Sequence, residues 1–303
     1  MRLLVIGDVH VAAERVAFRD MWCRRALAVA NHRLRRGKHF DLSLLPGIVG
    51  RMVAIEADGL IGTGDVTTTA LAEEFVAVRE ALDPARAAVV ERGGRAWIVP
   101  GNHDRYTLTA TRRRRLEATM TGWAPSDGFP AAVGLTEAWR MLLLDSAGPN
   151  VWSSRGRLGG AQLEALSDAL DSLQPTQGLL VVCHYPPVVP GGVAGEWPSL
   201  ERVSRRLAEG RAVWEMLRGC RGRVLWLHGH VHQPWWWLPG QGEAVMQEGL
   251  SHRPMSANGP GVALLNAGCP CRVDDRWPAG QGFWEVELGA SEAGAIVRAV
   301  HHA

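Results

Sequence analysis

Histidine and aspartate recur in this chain at spacings suited to chelation. Asp8 and His10, in "GDVH", are separated by one residue, so an extended backbone turns both side chains to one side. Asn102, His103 and Asp104 stand together in "GNHD" and offer an amide oxygen, an imidazole and a carboxylate within one turn. Asp65 follows "GTG", where glycine lets the backbone come close to a ligand. His184 closes an apolar run just before "YPP", and an unpaired buried imidazole is costly. In "LWLHGHVHQPWWWLP", His228, His230 and His232 alternate, so a continued strand would aim all three at one object.

Asp8, His10, Asp65, Asn102, His184, His230 and His232 form a mixed set of oxygen and nitrogen donors. Such a set suits Mn, Fe, Zn or Co better than calcium, which prefers oxygen alone. It is too large for one tetrahedral ion and suits two divalent metal ions sharing a carboxylate, the apparatus for in-line displacement at phosphorus. "GCPC" has no second pair to complete a zinc site, so Cys269 and Cys271 read as buried thiols.

The elements that must position these residues are short apolar runs, each ending in a chemically loaded turn. "RLLVIG" leads to Asp8, "DGLIGTG" to Asp65, "RAWIVPG" to Asn102, "GLLVVC" to His184 and "RVLWLHG" to His230. "WRMLLLD" and "VALLNAG" complete the pattern, and "GFWEVELG" with "AGAIVRAVH" reads as a closing hairpin. Runs this apolar belong to sheets covered on both faces. Helical spacing recurs at Phe18 to Arg35, Thr69 to Leu82, Gly160 to Leu173 and Ser199 to Leu217. Strands alternating with helices predict an α/β architecture with the loaded turns at the strand C-termini. A single domain over residues 1–303 is expected, with loop insertions around 105–137, 188–222 and 239–261 at the mouth of the site.

Composition narrows the classes. The chain is 47% hydrophobic and 21% charged, and its net charge of +2 gives no global argument for nucleic acid. The N-terminus lacks the apolar stretch and cleavage pattern of a signal peptide. No run approaches the roughly 18 apolar residues of a membrane span. Five scattered cysteines fit a reducing compartment, so a soluble cytoplasmic protein is expected. No G-x-S-x-G, P-loop or G-x-G-x-x-G is present to support a serine nucleophile or a nucleotide-binding loop.

The ordered set "GDVH", "GTGDV", "GNHD", "CHYPP" and "HGHVH" resembles the calcineurin-like metallophosphoesterases. The resemblance implies a four-layer α/β/β/α sandwich of two mixed sheets flanked by helices. It implies that Asp8, His10 and His232 hold one metal, that Asn102, His184 and His230 hold a second, and that Asp65 bridges both. His103 would act as general acid or stabilise the phosphoryl oxygens, Asp104 would orient the His103 ring, and a metal-bridging hydroxide would attack in line. His228 fits no ligand position and is expected to pack or support a ligand.

The substrate the resemblance implies is a phosphodiester or a pyrophosphate, small or lipid-linked. "GDVTTT" and "GNHD", with G-H-x-H present, depart from the protein phosphatase branch. "ANHRLRRGKHFDLSLLP" resembles a bacterial subgroup that includes UDP-2,3-diacylglucosamine pyrophosphatases of lipid A synthesis. A phosphomonoesterase and a non-catalytic scaffold are the remaining alternatives. Arg112 and Arg113, in a run of four arginines, read either as a solvated helix face or as a clamp for a phosphate. Trp235 and Trp237 read either as packing or as indoles that stack on substrate at the mouth. The basic stretch from Arg24 to Lys38 is either an outer helix or a peripheral membrane contact.

Overall fold

The computed structural model describes residues 1–13, 37–148, 155–190, 205–239, 245–246, 255–258, 261–273, 281–292 and 294–303. The helix expected over Phe18 to Arg35 and most of the basic stretch therefore lie outside the described residues. In chain order the strands are β1 (Arg2–Ile6), β2 (Gly59–Gly62), β3 (Arg95–Ile98), β4 (Ala131–Gly134), β5 (Trp139–Leu144), β6 (Gly178–Cys183) and β7 (Arg223–His228). They are followed by β8 (Trp235–Trp237), β9 (Val245–Met246), β10 (Met255–Asn258), β11 (Gly261–Asn266), β12 (Phe283–Ser291) and β13 (Gly294–His302). The helices are α1 (Leu45–Ala54), α2 (Ala72–Glu91), α3 (Leu108–Arg112), α4 (Arg115–Thr119), α5 (Gly160–Asp171) and α6 (Gly210–Gly219).

Two mixed sheets face each other. The first runs β10-β13-β12-β1-β2-β3, with β1, β2 and β3 parallel, β12 antiparallel to β1, and β13 antiparallel to β12. The second runs β4-β5-β6-β7-β11-β8-β9, with β5, β6, β7 and β11 parallel. Side-chain alternation assigns each strand's residues to two different cores. Leu3, Val5, Ile61, Leu180, Val182, Leu225 and Leu227 fill the space between the sheets. Leu4, Ile6, Leu60 and Ile98 turn outward onto Ile48, Phe75, Val78 and Leu82 of α1 and α2. Leu179, Val181 and Cys183 turn the other way onto Leu166, Leu170, Val213 and Leu217 of α5 and α6. This is the expected four-layer sandwich: β1, β2, β6 and β7 are covered on both faces because both are apolar, while the β12–β13 hairpin alternates and leaves one face partly open.

Some boundaries differ from expectation. The helix predicted from Thr69 begins at Ala72, because Thr69 is held by Glu74, whose carboxylate accepts from the Thr69 and Leu71 backbone at 2.8 and 3.1 Å. It continues through Pro84 to Glu91, since Leu82, Ala85 and Val89 all bury against the first sheet. α1 was hidden in "LPGIVGRMVA" by two glycines, yet Leu45, Ile48, Val49 and Met52 make a buried stripe.

Candidate metal centre

The loops following β1, β2, β3, β6 and β7 bring the chelating residues together. Asp8, His10, Asp65 and His232 form one group, and Asp65, His184 and His230 form a second, with the ligand atoms of each group within 4.8 Å of one another. In the first, the Nε2 atoms of His10 and His232 approach to 3.0 Å, and His232 Nε2 lies 3.3 Å from Asp8 Oδ1. In the second, His184 Nε2 lies 3.3 Å from both Asp65 Oδ2 and Asn102 Oδ1. The backbone N–H of His103 donates to Asp65 Oδ1 at 2.7 Å, which leaves Oδ2 turned to His184 and, at 3.9 Å, to His10. One carboxylate oxygen thus faces both groups.

The backbone is bent to achieve this. Asp8, His10, Asp65, His230 and His232 all adopt left-handed conformations, with φ between 50° and 68°. Such conformations cost non-glycine residues of order 1–3 kcal/mol each and persist only where surroundings over-determine them. The expectation that His228, His230 and His232 share a strand face is therefore corrected. β7 ends at His228, and a turn directs the His230 N–H onto both Asp8 oxygens at 3.0 Å. Two glycines clear the approach: a Cβ on Gly101 would fall 2.1 Å from Asp65 Oδ1, and one on Gly229 would fall 2.2 Å from Asp8 Oδ2.

Two of the three threonines after Asp65 brace the site. Thr68 donates its hydroxyl to the His10 carbonyl at 2.8 Å, and its own carbonyl accepts from His103 Nδ1 at 2.7 Å. Thr67 donates its N–H and hydroxyl to Asp104 Oδ1, while the N–H groups of Gly101 and Val66 donate to Oδ2. This corrects the role expected for Asp104. Its carboxylate staples the "GNHD" turn to the loop after Asp65, and the His103 ring is oriented instead by the Thr68 carbonyl. His184 Nδ1 is engaged likewise by the Thr63 carbonyl at 2.8 Å, so Nε2 is the ring nitrogen that faces the group.

Electrostatics follow from packing carboxylates and imidazoles together out of water. Burial, aided by Asp65 and Asp104, pushes Asp8 well above the usual carboxylate range. Burial also opposes ionisation of Asp65, but the imidazoles of His184 and His103 outweigh it and hold Asp65 well below that range. Burial pulls against a charged His184, yet Asp65 and Asp8 raise it to about 9. Burial and the neighbouring His184 push His230 down. Anionic carboxylates and converging ring nitrogens in so small a volume fit divalent cations, which would stabilise the ionised acids and the neutral imidazoles at once.

The tryptophans of β8 pack into the cores. Trp235 and Trp236 are fully buried, the former against the outer helices and the latter between the sheets. Trp237 is half-buried and stacks on Trp214 of α6, with centroids 5.5 Å apart and planes at 14°. Of the two readings open for Trp235 and Trp237, Trp235 is a packing residue, buried in the outer core, and Trp237 packs on Trp214. The aromatic rings that do meet the site were missed by sequence reasoning. Phe40 lies edge-on to His10 at 5.1 Å, and Tyr106 stacks on His103 at 5.7 Å. Both rings are half-buried. Tyr185 donates its hydroxyl to Asn102 Oδ1 at 3.0 Å and packs on His230. Arg112 and Arg113 are exposed at the end of α3. Cys269 donates its thiol to the Asp8 carbonyl, so this buried thiol supports the first loop. His228 is buried, its Nδ1 donating to the Gly229 carbonyl at 2.9 Å, and burial lowers its pKa to about 3. It supports the turn and is not grouped with the chelating residues.

Residues 1–234 match the family model of calcineurin-like phosphoesterases. The chain belongs to that family. Membership places its chemistry among phosphoester hydrolases, in keeping with the paired Asp and His groups. Two curated relatives are similar at the sequence level. A probable cyclic nucleotide phosphodiesterase of Synechococcus sp. strain WH7803 is 27% identical over 195 residues, covering 64% of this chain and 66% of that protein. A second protein of that description, from Rhodopseudomonas palustris, is 24% identical over 259 residues, covering 84% and 79%. The fold is similar to that of a dimetal phosphatase from Danio rerio, with a TM-score of 0.57, 14% identity and coverage of 100% and 99%. Among the described residues no helix is long and apolar enough to cross a membrane.

Proposed function

We propose that the protein hydrolyses a phosphodiester with two divalent metal ions, one held by Asp8, His10, Asp65 and His232 and the other by Asp65, Asn102, His184 and His230. The observation that carries this reading is the pair of donor groups sharing Asp65 Oδ2. When bound, such ions supply Lewis acidity toward the phosphoryl oxygens and activation of water near neutral pH. The chain's own residues do the rest. With Nδ1–H committed to the Thr68 carbonyl, His103 acts as general acid in its imidazolium form, giving the Nε2 proton to the departing oxygen and becoming neutral with Nδ1–H retained. The "GNHD" turn, stapled by Asp104, fixes where that imidazole stands.

A nucleotide-like substrate is favoured over a lipid-linked pyrophosphate. Phe40 and Tyr106 present half-buried rings beside His10 and His103, a setting suited to stacking a planar base. The names of both curated relatives point the same way. Protein reconstituted with Mn is expected to hydrolyse bis-p-nitrophenyl phosphate and to prefer cyclic nucleotides over UDP-diacylglucosamine and simple monoesters. Absence of turnover across that panel would overturn the catalytic reading. Preference for the lipid-linked pyrophosphate would overturn the substrate class alone.

A further inference from the structure

Arg105 directly follows the "GNHD" turn and is only 4% exposed. A buried guanidinium is tolerated only when its donors are satisfied, and here two carboxylates do so. Nη1 and Nη2 reach the two oxygens of Glu117 on α4, the first at 3.0 Å. Nε and Nη2 also reach Asp145 Oδ2 at 3.2 and 2.9 Å. Asp145 stands just past the end of β5, in the other sheet. It is itself fixed there: its N–H donates to Gln162 of α5 at 2.7 Å, its carbonyl accepts from the same side chain, and its Oδ1 accepts from the Ala147 N–H. The Arg105 N–H closes the turn on the Gly101 carbonyl at 3.2 Å. A rigid fork thus ties the loop carrying Asn102 and His103, on the first sheet, to the strand beside β6, which carries His184 on the second.

The two donor groups depend on that tie unequally. In the first group Asp8, His10 and Asp65 follow β1 and β2 of one sheet, and only His232, beyond β7, comes from the other. The second group needs Asn102 from one sheet to meet His184 from the other, at 3.3 Å. We propose that Arg105, through Asp145, is a positioning residue that sets the affinity of the second metal group while leaving the first largely alone. This rests on the two-metal reading above.

The test is titration of apo protein with Co(II), following visible absorption and bound metal by equilibrium dialysis, for wild type, Asp145→Asn and Arg105→Lys. Asp145→Asn keeps the Arg105–Glu117 pair and nearly the same shape, and Arg105→Lys keeps the charge but loses the fork. In Asp145→Asn the tighter-bound or first-group ion should be retained, while the second ion weakens by about tenfold or more, the usual effect of removing support behind a ligand. Arg105→Lys should weaken the second ion similarly, and kcat should fall with it at unchanged first-ion affinity. Equal weakening of both ions, or loss of thermal stability with both affinities intact, would reduce Arg105 to a purely structural role. If one variant fails to fold, the other decides. Wild type binding fewer than two ions would sink the two-metal reading itself, a result distinct from failure of the Arg105 proposal.

Discussion

The two donor groups share an aspartate but differ in charge and in origin. The group around Asp8 sets two carboxylates against two imidazoles, and three of its four members come from one sheet. The group around His184 has only the shared carboxylate, an amide and two imidazoles, and it spans both sheets. Three of the first group's four ligands share one sheet's rigidity, with His232 alone reaching in from the other, whereas the second group takes two ligands from each sheet and depends on whatever fixes their separation. The first group therefore reads as the anchor and the second as the more adjustable position.

Substitution of Asp65 should produce the largest effect. Asp65→Ala removes the oxygen facing both groups, so metal analysis should find fewer than two ions per chain and hydrolysis should fall to background. His232→Ala and His184→Ala separate the groups: each should lose one ion and retain the other. Simultaneous loss in both variants would show that the groups are coupled more tightly than their origins suggest. His103→Ala should keep both ions while turnover drops on the order of 10²–10⁴-fold, the range for a lost general acid. An unchanged rate would remove His103 from the mechanism without touching the donor groups.

Smaller effects concern the framework. Trp236→Ala should cost about 3–5 kcal/mol in denaturant unfolding, as for a large side chain removed from a packed core. Trp237→Ala, at a half-buried stack, should cost less, and neither should change which substrates are accepted. The pH dependence is subtler still. His228 is held neutral by burial, with a folded pKa near 3 against an unfolded value near 6.5. Its stability contribution is then present above about pH 6.5 and is lost as pH falls toward 3, because the unfolded chain takes up the proton first. The slope from this residue is at most about 1.4 kcal/mol per pH unit. Thermal melts of wild type and His228→Phe between pH 7 and pH 4 should converge as the pH falls. Parallel curves would show that His228 is protonated in the folded protein.

The donor set was legible in the chain because its signals are local. A strand of apolar residues followed at once by Asp8, Asp65, Asn102 or His184 marks both the element and its loaded end, whatever lies around it. The hairpin of β12 and β13 was legible for the same reason, since alternation over nine residues on each side declares a half-buried strand. Asp104 was misjudged because a carboxylate next to a histidine in sequence need not face its ring, and backbone donors at Gly101, Val66 and Thr67 competed for it successfully. Phe40 and Arg105 gave no signal. Their importance depends on partners 30 or more residues away, Phe40 beside His10 and His232 and Arg105 on Asp145.

The order and types of the chelating residues, and the layered α/β arrangement that follows from apolar runs alternating with helices, are properties of the chain itself, because periodicity and side-chain chemistry are written position by position. Which tryptophans enter which core, and how the chain turns after His228 to carry His230 and His232 off the strand, were decided only when the two sheets packed. Packing chooses among side-chain directions that local sequence leaves equivalent. It can also hold five non-glycine residues in left-handed conformations that their own preferences disfavour.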